Sequence, residues 1–143
     1  MDFTLLNAIE LAFNENEMQW NNGLVRVYEN FVNDFLYPDP MNLMVFTENH
    51  DTRRINEILN NDIAKYKLAM TLVSTVRGIP QYYYGSEIGM AGFKSKGDAD
   101  IRHDFPGGWK NDAQNAFTFS DRTKEQNEYH SFLKKNSELE KRK

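Results

Sequence analysis

The sequence contains no cysteine, which excludes a disulfide framework, a thiolate metal site and a cysteine nucleophile. It also lacks long apolar runs: none approaches the roughly 20 residues of a membrane-spanning helix, and residues 1–4 have no basic segment of the signal-peptide type. Basic residues are not in excess, since the formal net charge is −4 and the basic clusters stand only at 134–135 and 141–143. We therefore expect a soluble chain with no membrane and no nucleic-acid partner.

The residues that are present favour a globular domain rich in helices. Of the 143 residues, 40% are hydrophobic and 13% aromatic, enough for one modest domain with a real core. Apolar residues recur at helical spacing from Phe3 to Phe13, where Asp2 caps the first turn, and again from Leu24 to Phe35. A short helical turn at 54–59 and a longer helix, capped by Asp62 and ending at Gly78 in the C′ position, are predicted to follow.

Two segments have the pattern of parallel strands. The short apolar run 42–46 predicts a strand buried on both faces, and the aromatic-rich segment 79–85 predicts a second. Residues 89–113 are too polar and too often interrupted by glycine for regular structure, so they predict a long functional loop. A last helix is predicted at 123–140, with Tyr129, Phe132 and Leu133 inward and a charged tail that frays. Because two strands do not close a parallel sheet, this pattern predicts a portion of a larger α/β barrel.

The polar triplet Asn49, His50 and Asp51 directly follows the first strand. In an α/β barrel, such positions point into the active-site mouth. The Asp51 carboxylate can accept hydrogen bonds from two neighbouring hydroxyl groups while the His50 imidazole donates to one of them, which suits a sugar ring. A capped loop with an exposed histidine is the alternative interpretation.

Two further motifs are ambiguous when each is taken alone. Tyr82, Tyr83 and Tyr84 can stack on sugars or fill a core, and Glu87 can do acid–base work or accept hydrogen bonds from the backbone. Asp98 and Arg102 can hold a polar ligand jointly, or they can form a solvated ion pair worth only about 0–1 kcal/mol.

In this order, the motifs resemble those of the α-amylase superfamily of glycoside hydrolases. Residues 46–51 and 78–87 resemble the family's motifs at the seventh and eighth barrel strands, and residues 98–102 resemble the Asp-x-x-x-Arg pair that follows. The runs 36–42 and 104–109 are similar to the neopullulanase and cyclomaltodextrinase branch. The resemblance, from the first helix to about Phe132, implies an α/β fold, a helix-rich partial TIM (β/α)8 barrel from roughly helix 6 to the start of helix 8, with parallel strands 7 and 8.

The resemblance also implies roles for individual residues. Asp51 would be the catalytic carboxylate that stabilises the transition state at subsite −1, and His50 would hold the same sugar ring. Asp98 and Arg102 would bind the next sugars. Four residues would be structural or near the site: Asn49, Tyr84, Glu87 and Trp109. The implied partners are α-glucan oligosaccharides, and the implied reaction is retaining hydrolysis of α-glucosidic bonds in starch, pullulan or cyclodextrins.

The nucleophile and general acid of that reaction, which a retaining enzyme holds about 5 to 5.5 Å apart, have no counterpart before residue 46. We therefore expect residues 1–143 to be a carboxyl-terminal fragment of the barrel, with 89–113 as its long active-site loop and 134–143 as its charged tail, inactive in isolation. An incomplete barrel exposes a strand edge and apolar helix faces, which predicts self-association. No cofactor is evident in this segment, although the resemblance allows calcium in the parent enzyme. The resemblance is compatible with a periplasmic or a cytoplasmic location, and no residue here decides the compartment.

Three other interpretations remain open from the residues. One pairs Asp51 with Glu87 as the acid and nucleophile of an enzyme. Another treats the chain as a stand-alone sugar-binding or interaction module with Tyr82, Tyr83 and Trp109 as stacking platforms. The third is a metal site built from His50, Asp51 and His103.

Overall fold

The computed structural model describes residues 1–15 and 19–140. Two short parallel strands in this part of the chain are accompanied by helices on the segments before, between and after them. The strands are β1 (Met44–Phe46) and β2 (Ile79–Gln81); the helices are α1 (Phe3–Asn14), α2 (Val25–Val32), α3 (Ile55–Ile58), α4 (Ile63–Thr75), α5 (Asp98–Ile101) and α6 (Lys124–Glu140).

The two strands pair in parallel, with Val45 opposite Pro80 and Phe46 opposite Gln81. Helices α3 and α4 form the crossover between them. Pairing begins at the Ile79 N–H, which donates to the Leu43 carbonyl oxygen at 2.8 Å. The preceding Gly78 has φ +98°, and a Cβ atom there would lie 2.5 Å from that same oxygen. The close approach of the two strands therefore requires glycine at position 78.

The start of α1 is tied to the sheet through Asp2. Its buried side chain caps the helix by accepting from Leu5 N at 2.8 Å, and its own N–H donates to the Met44 carbonyl at 2.8 Å. Arg77, next to β2, bonds to the Asp2 carboxylate at 2.6 Å and also to Asp34. Burial alone would raise the pKa of Asp2, but the hydrogen bonds from Leu5 N and Arg77 hold it below its ordinary value.

The core lies between the inner faces of α1 and α4, the strand residue Val45 and the inward side of α6. Its fully buried members include Leu5, Val45 and Tyr66, and the Tyr66 and Tyr129 rings pack edge to face with centroids 4.6 Å apart. Leu133 is buried in the same cluster and Phe132 packs against it, which confirms the predicted inward residues of the last helix. Within the described ranges, no helix is both long enough and apolar enough to cross a membrane.

The predicted capping residues Asp2 and Asp62 are confirmed, because each side chain accepts backbone N–H groups of the helix that it precedes. The predicted end of the second helix was wrong. Helix α2 ends at Val32, and Phe35 lies in a separate 3₁₀ turn, Asp34–Leu36, where its side chain is 79% exposed. Most helix stability comes from packing of the apolar face, and Phe35 does not face the core, so extending the helix to it would gain little stabilisation.

The boundaries of other elements also needed correction. Strand β2 stops at Gln81, opposite the last residue of β1, and residues 82–85 turn away from the sheet. Gly78 is not the C′ residue, because α4 is already capped by Val76 in an extended conformation. The loop 89–113 contains regular structure, a 3₁₀ turn at Lys94–Lys96 and α5.

The charged tail predicted for residues 134–143 was expected to fray. Its first seven residues instead continue α6 to Glu140, while the last three lie outside the described residues. Leu133 and Asn136 are both buried in the second half of this helix. Its inward stripe therefore extends beyond the residue at which the charge pattern begins.

Candidate functional site

The loop after β1 changes from buried to exposed over two residues. Thr47 and Asn49 are 2% exposed, whereas His50 and Asp51 extend into solvent with 62% of each side chain exposed. Asn49 makes this presentation possible, because its side-chain oxygen accepts from Asp51 N at 2.8 Å and from Thr52 N at 3.1 Å. Such a side-chain turn fixes the backbone that carries Asp51 while its carboxylate stays accessible.

Asp51 belongs to an exposed cluster of charges that joins two loops, which we call the Asp51 cluster: His50, Asp51, Asp98 and Arg102. Arg102 Nη2 lies 2.8 Å from Asp51 Oδ1 and 2.7 Å from Asp98 Oδ2. Arg102 Nε also donates to the His50 carbonyl at 2.7 Å, and His50 Nε2 lies 3.2 Å from Asp51 Oδ2. The structure thus brings together the four residues predicted as catalytic or substrate-binding.

Asp98 has a second cationic neighbour, because the Lys94 ammonium also bonds to its carboxylate. The Lys94 hydrogen bond and the nearby Arg102 guanidinium hold the pKa of Asp98 below its ordinary value. Asp98 is therefore an acceptor of hydrogen bonds at neutral pH and not a proton donor.

A buried ion pair lies directly beneath the Asp51 cluster. Glu48 is 1% exposed and Arg54 is fully buried, with Arg54 Nη1 3.5 Å from Glu48 Oε1. Glu48 also accepts from the Ile55 N–H and from the Ser86 hydroxyl. Burial raises the pKa of Glu48, and the Arg54 charge with the hydrogen bonds from Ser86 and Ile55 opposes that rise.

Sequence reasoning assigned no role to either member of this pair. The available signal was the spacing. Two residues of opposite charge, Glu48 and Arg54, stand three residues before and three residues after Asp51, in a segment bounded by apolar residues. Loop charges are usually solvated, so spacing alone did not indicate that these two are buried.

The remaining predicted residues divide between contact with this region and distance from it. The Tyr84 hydroxyl donates to the His103 carbonyl at 2.8 Å, and the Arg54 guanidinium lies over the Tyr83 and Tyr84 rings, 4.3 and 4.9 Å from their centroids. Neither tyrosine belongs to β2, which ends at Gln81; both rings lie against a buried cation instead.

Glu87 and Trp109 lie in other surroundings. Glu87 lines a cavity of about 430 Å³ together with Tyr82 and His130 on the side of α6. Trp109 is 66% exposed and its indole N–H donates to Asp104 at 2.8 Å. In the described part of the chain, the hydrogen bonds and ion pairs of the Asp51 cluster include neither residue.

The residues of the alternative metal site have other partners. His103 shares a hydrogen bond between its ring Nδ1 and the Asp100 carbonyl at 2.7 Å. Within residues 1–15 and 19–140, no group of three or more His, Asp or Glu side chains is arranged to hold a metal ion.

The Asp51 cluster is suited to binding neutral, hydroxyl-rich molecules. It presents two carboxylates, one imidazole and one guanidinium at the surface, so acceptors and donors alternate within a few ångströms. Vicinal hydroxyl groups, each a donor and an acceptor, match that alternation. The Arg102 guanidinium and the Lys94 ammonium together balance the two carboxylates, which favours a neutral ligand over a strongly charged one.

Comparison with known proteins shows which proteins this chain is similar to. A family model described as the α-amylase catalytic domain matches residues 1–143. A cyclomaltodextrinase of Thermoanaerobacter pseudethanolicus is 29% identical over 122 residues, 84% of this chain and 20% of its own length. Neopullulanase 2 of Thermoactinomyces vulgaris is 37% identical over 86 residues, 59% of this chain and 14% of its own length.

Among solved structures, an α-amylase of Geobacillus thermoleovorans complexed with acarbose superposes with a TM-score of 0.70 at 28% sequence identity. The match covers all of this chain and 28% of that protein. The chain thus spans less than a third of the length of each of these proteins, and its fold is that of a part of the α-amylase catalytic domain.

Proposed function

The chain belongs to the α-amylase catalytic domain family, and from this membership we propose that it forms the seventh and eighth strand region of a (β/α)8 barrel in an α-glucan hydrolase. The reaction would be retaining hydrolysis of α-glucosidic bonds in starch, pullulan or cyclodextrins. One observation carries the proposal. Asp51 stands exposed just after the carboxyl end of a parallel strand, joined through Arg102 to a second loop, and barrel enzymes place their active sites at that end of the strands.

In this proposal, Asp51 binds the sugar at the point of cleavage. Its Oδ1 is held by Arg102, and its Oδ2 faces His50, so the carboxylate is fixed and oriented before a ligand arrives. A fixed negative charge near the anomeric carbon stabilises the oxocarbenium-like transition state. His50 binds the same ring, and Asp98 and Arg102 bind its neighbour.

We further propose that the 143-residue chain alone does not hydrolyse its substrates. Retaining hydrolysis needs a nucleophile and a general acid on either side of the scissile bond. The second carboxylate of the Asp51 cluster, Asp98, shares the Arg102 guanidinium and has a pKa below its ordinary value, which disfavours the protonated form that a general acid requires. Both catalytic groups would come from barrel strands other than β1 and β2.

The test combines turnover with binding. Reducing-sugar release from cyclodextrin, pullulan and soluble starch is measured for the chain and for Asp51→Asn, and maltotriose binding is followed by NMR titration of the same proteins. We expect no release, and maltotriose shifts confined to the Asp51 cluster that weaken in Asp51→Asn. Asp121→Asn is the matched control, because Asp121 is an exposed loop carboxylate that accepts from the Ser120 hydroxyl and from no residue of the cluster. Release that depends on Asp51 would contradict the inactivity, and equal binding by Asp51→Asn would contradict the assigned site.

A second candidate function is a sugar-binding module that acts through Trp109. The exposed indole is fixed in orientation by its bond to Asp104, as a stacking platform should be. Under this alternative, maltotriose affinity is lost in Trp109→Ala and retained in Asp51→Asn, the reverse of the order expected for the Asp51 cluster.

A further inference from the structure

The Glu48–Arg54 pair is enclosed to an unusual degree for two charges. Arg54 is the largest side chain in the described structure with less than 2% exposure, and Glu48 is 1% exposed. The Nη2 atom of Arg54 is buried with no hydrogen-bond partner among the described residues. Buried ion pairs are weak contributors to stability, because desolvation of both charges offsets their attraction. The contacts of the pair are therefore a better guide to its role than its charge.

The contacts of Glu48 close the loop that carries Asp51. Glu48 stands three residues before Asp51 and Arg54 three residues after it. Glu48 bonds to the Arg54 side chain and to the Ile55 N–H, so both ends of this loop are fastened to one carboxylate. The span that presents Asp51 thus has a fixed width at its base.

The contacts of Arg54 fix the other side of the Asp51 cluster. Arg54 Nε donates to the Ile101 carbonyl at 3.0 Å, and Nη1 donates to the Tyr84 carbonyl at 2.7 Å. The Tyr84 hydroxyl in turn donates to the His103 carbonyl at 2.8 Å. Both chain neighbours of Arg102 are thereby held, one directly by Arg54 and one through Tyr84.

We infer that Arg54, anchored by Glu48, is a positioning residue that sets the distance between Asp51 and Arg102 and so keeps the binding surface of the Asp51 cluster preformed. It acts from below and touches no ligand. The inference rests on the proposed function for the identity of the ligand, but the geometry that it describes can be measured without one.

The test follows the Arg102 Nε–H group, which donates to the His50 carbonyl and reports directly on the contact between the two loops. Its hydrogen exchange is measured by NMR in the unmodified chain and in Arg54→Lys, which keeps the charge but cannot reach both carbonyl groups. We expect exchange to be faster by about tenfold, as for opening of a local contact. Arg53→Lys is the matched control, because Arg53 pairs with Glu10 and Glu57 instead. The exchange rate of the Arg102 Nε–H group should not change in this variant.

A purely structural role predicts a different pattern. In that case Arg54→Lys would lower the melting temperature, yet Arg102 exchange below the transition would equal that of the unmodified chain, and the inference would be overturned. If Arg54→Lys does not fold, Tyr84→Phe gives the answer, since it removes only a hydroxyl group at a surface position. Faster Arg102 exchange in Tyr84→Phe supports the inference, and unchanged exchange refutes it.

The same samples separate this inference from the proposed function. Maltotriose that fails to shift the Asp51 cluster would count against the function, while Arg102 exchange would still report on Arg54. Binding that survives Arg54→Lys with unchanged Arg102 exchange would leave the function standing and remove the positioning role.

Discussion

Replacement of Gly78 by alanine should destabilise the chain well beyond an ordinary glycine substitution. The residue has φ +98°, where a side chain is strained by about 1–2 kcal/mol, and a Cβ atom would lie 2.5 Å from the Leu43 oxygen and 3.0 Å from Val45 Cγ1. The first contact is too short to persist and is with backbone, so the two strands must move apart.

That movement weakens the hydrogen bond from Ile79 N to Leu43 O, now 2.8 Å long, which is worth about 0.5–1.5 kcal/mol. Adding this loss to the strain gives an expected destabilisation of about 1.5–3.5 kcal/mol, at the upper end of the range for single substitutions. The paired control is Gly23→Ala, since Gly23 has φ +70° but nothing within 4 Å of the added Cβ. The control should lose only about 1–2 kcal/mol, from backbone strain alone.

The assay is urea unfolding followed by far-UV circular dichroism, with the free energy of unfolding extrapolated linearly to water. Equal losses in Gly78→Ala and Gly23→Ala would refute the reasoning, because the clash with Leu43 would then contribute nothing. A change in the denaturant slope for Gly78→Ala alone would show instead that the strands had separated in the native state.

Two further predictions concern pH and association. Hydrogen bonds from Leu5 N and Arg77 lower the pKa of Asp2 below its ordinary 3.8, so Asp2 contributes stability that is complete above that pH and is lost as the pH falls through the lowered value. In urea unfolding, the free energies of Asp2→Asn and the unmodified chain should therefore differ most near pH 6 and converge in acid. A difference that does not change with pH would contradict this. Helix α2 has an exposed apolar face, with Tyr28 69% and Val32 55% exposed, and we expect this face to drive self-association. Sedimentation velocity should show oligomers whose fraction increases with concentration and is smaller in Tyr28→Lys. A single monomeric species at every concentration would exclude this prediction.

Local signals in the sequence were reliable where one residue decides the outcome. Asp2 and Asp62 each cap a helix because a carboxylate before an apolar periodic run satisfies free backbone N–H groups, and no distant contact is needed. The positions of the two strands followed from apolar runs in the same way. The ends of α2 and β2 did not, because Phe35 and Tyr82 are apolar enough to extend either element, and only the packing decides that they do not.

The candidate site divides along the same line. The spacing of Asp98 and Arg102 predicts that they can meet, and they do, at 2.7 Å. Contact between Arg102 and Asp51, 51 positions apart in the chain, was not predicted, because no local pattern in the sequence indicates it. The burial of Glu48 and Arg54 was not foreseen, because two opposite charges in a loop have the same pattern whether they are solvated or enclosed.

The charged groups at the surface of the site form three consecutive ion pairs, from Lys94 through Asp98 and Arg102 to Asp51. Each pair shares a residue with the next, so a change of charge at Lys94 affects the pairing of Asp51. Loss of the Lys94 charge would leave Asp98 to draw Arg102 more strongly, which would weaken the hold of Arg102 on Asp51. Lys94, which belongs to none of the motifs, can thus change the electrostatic environment of the Asp51 carboxylate without contacting a ligand.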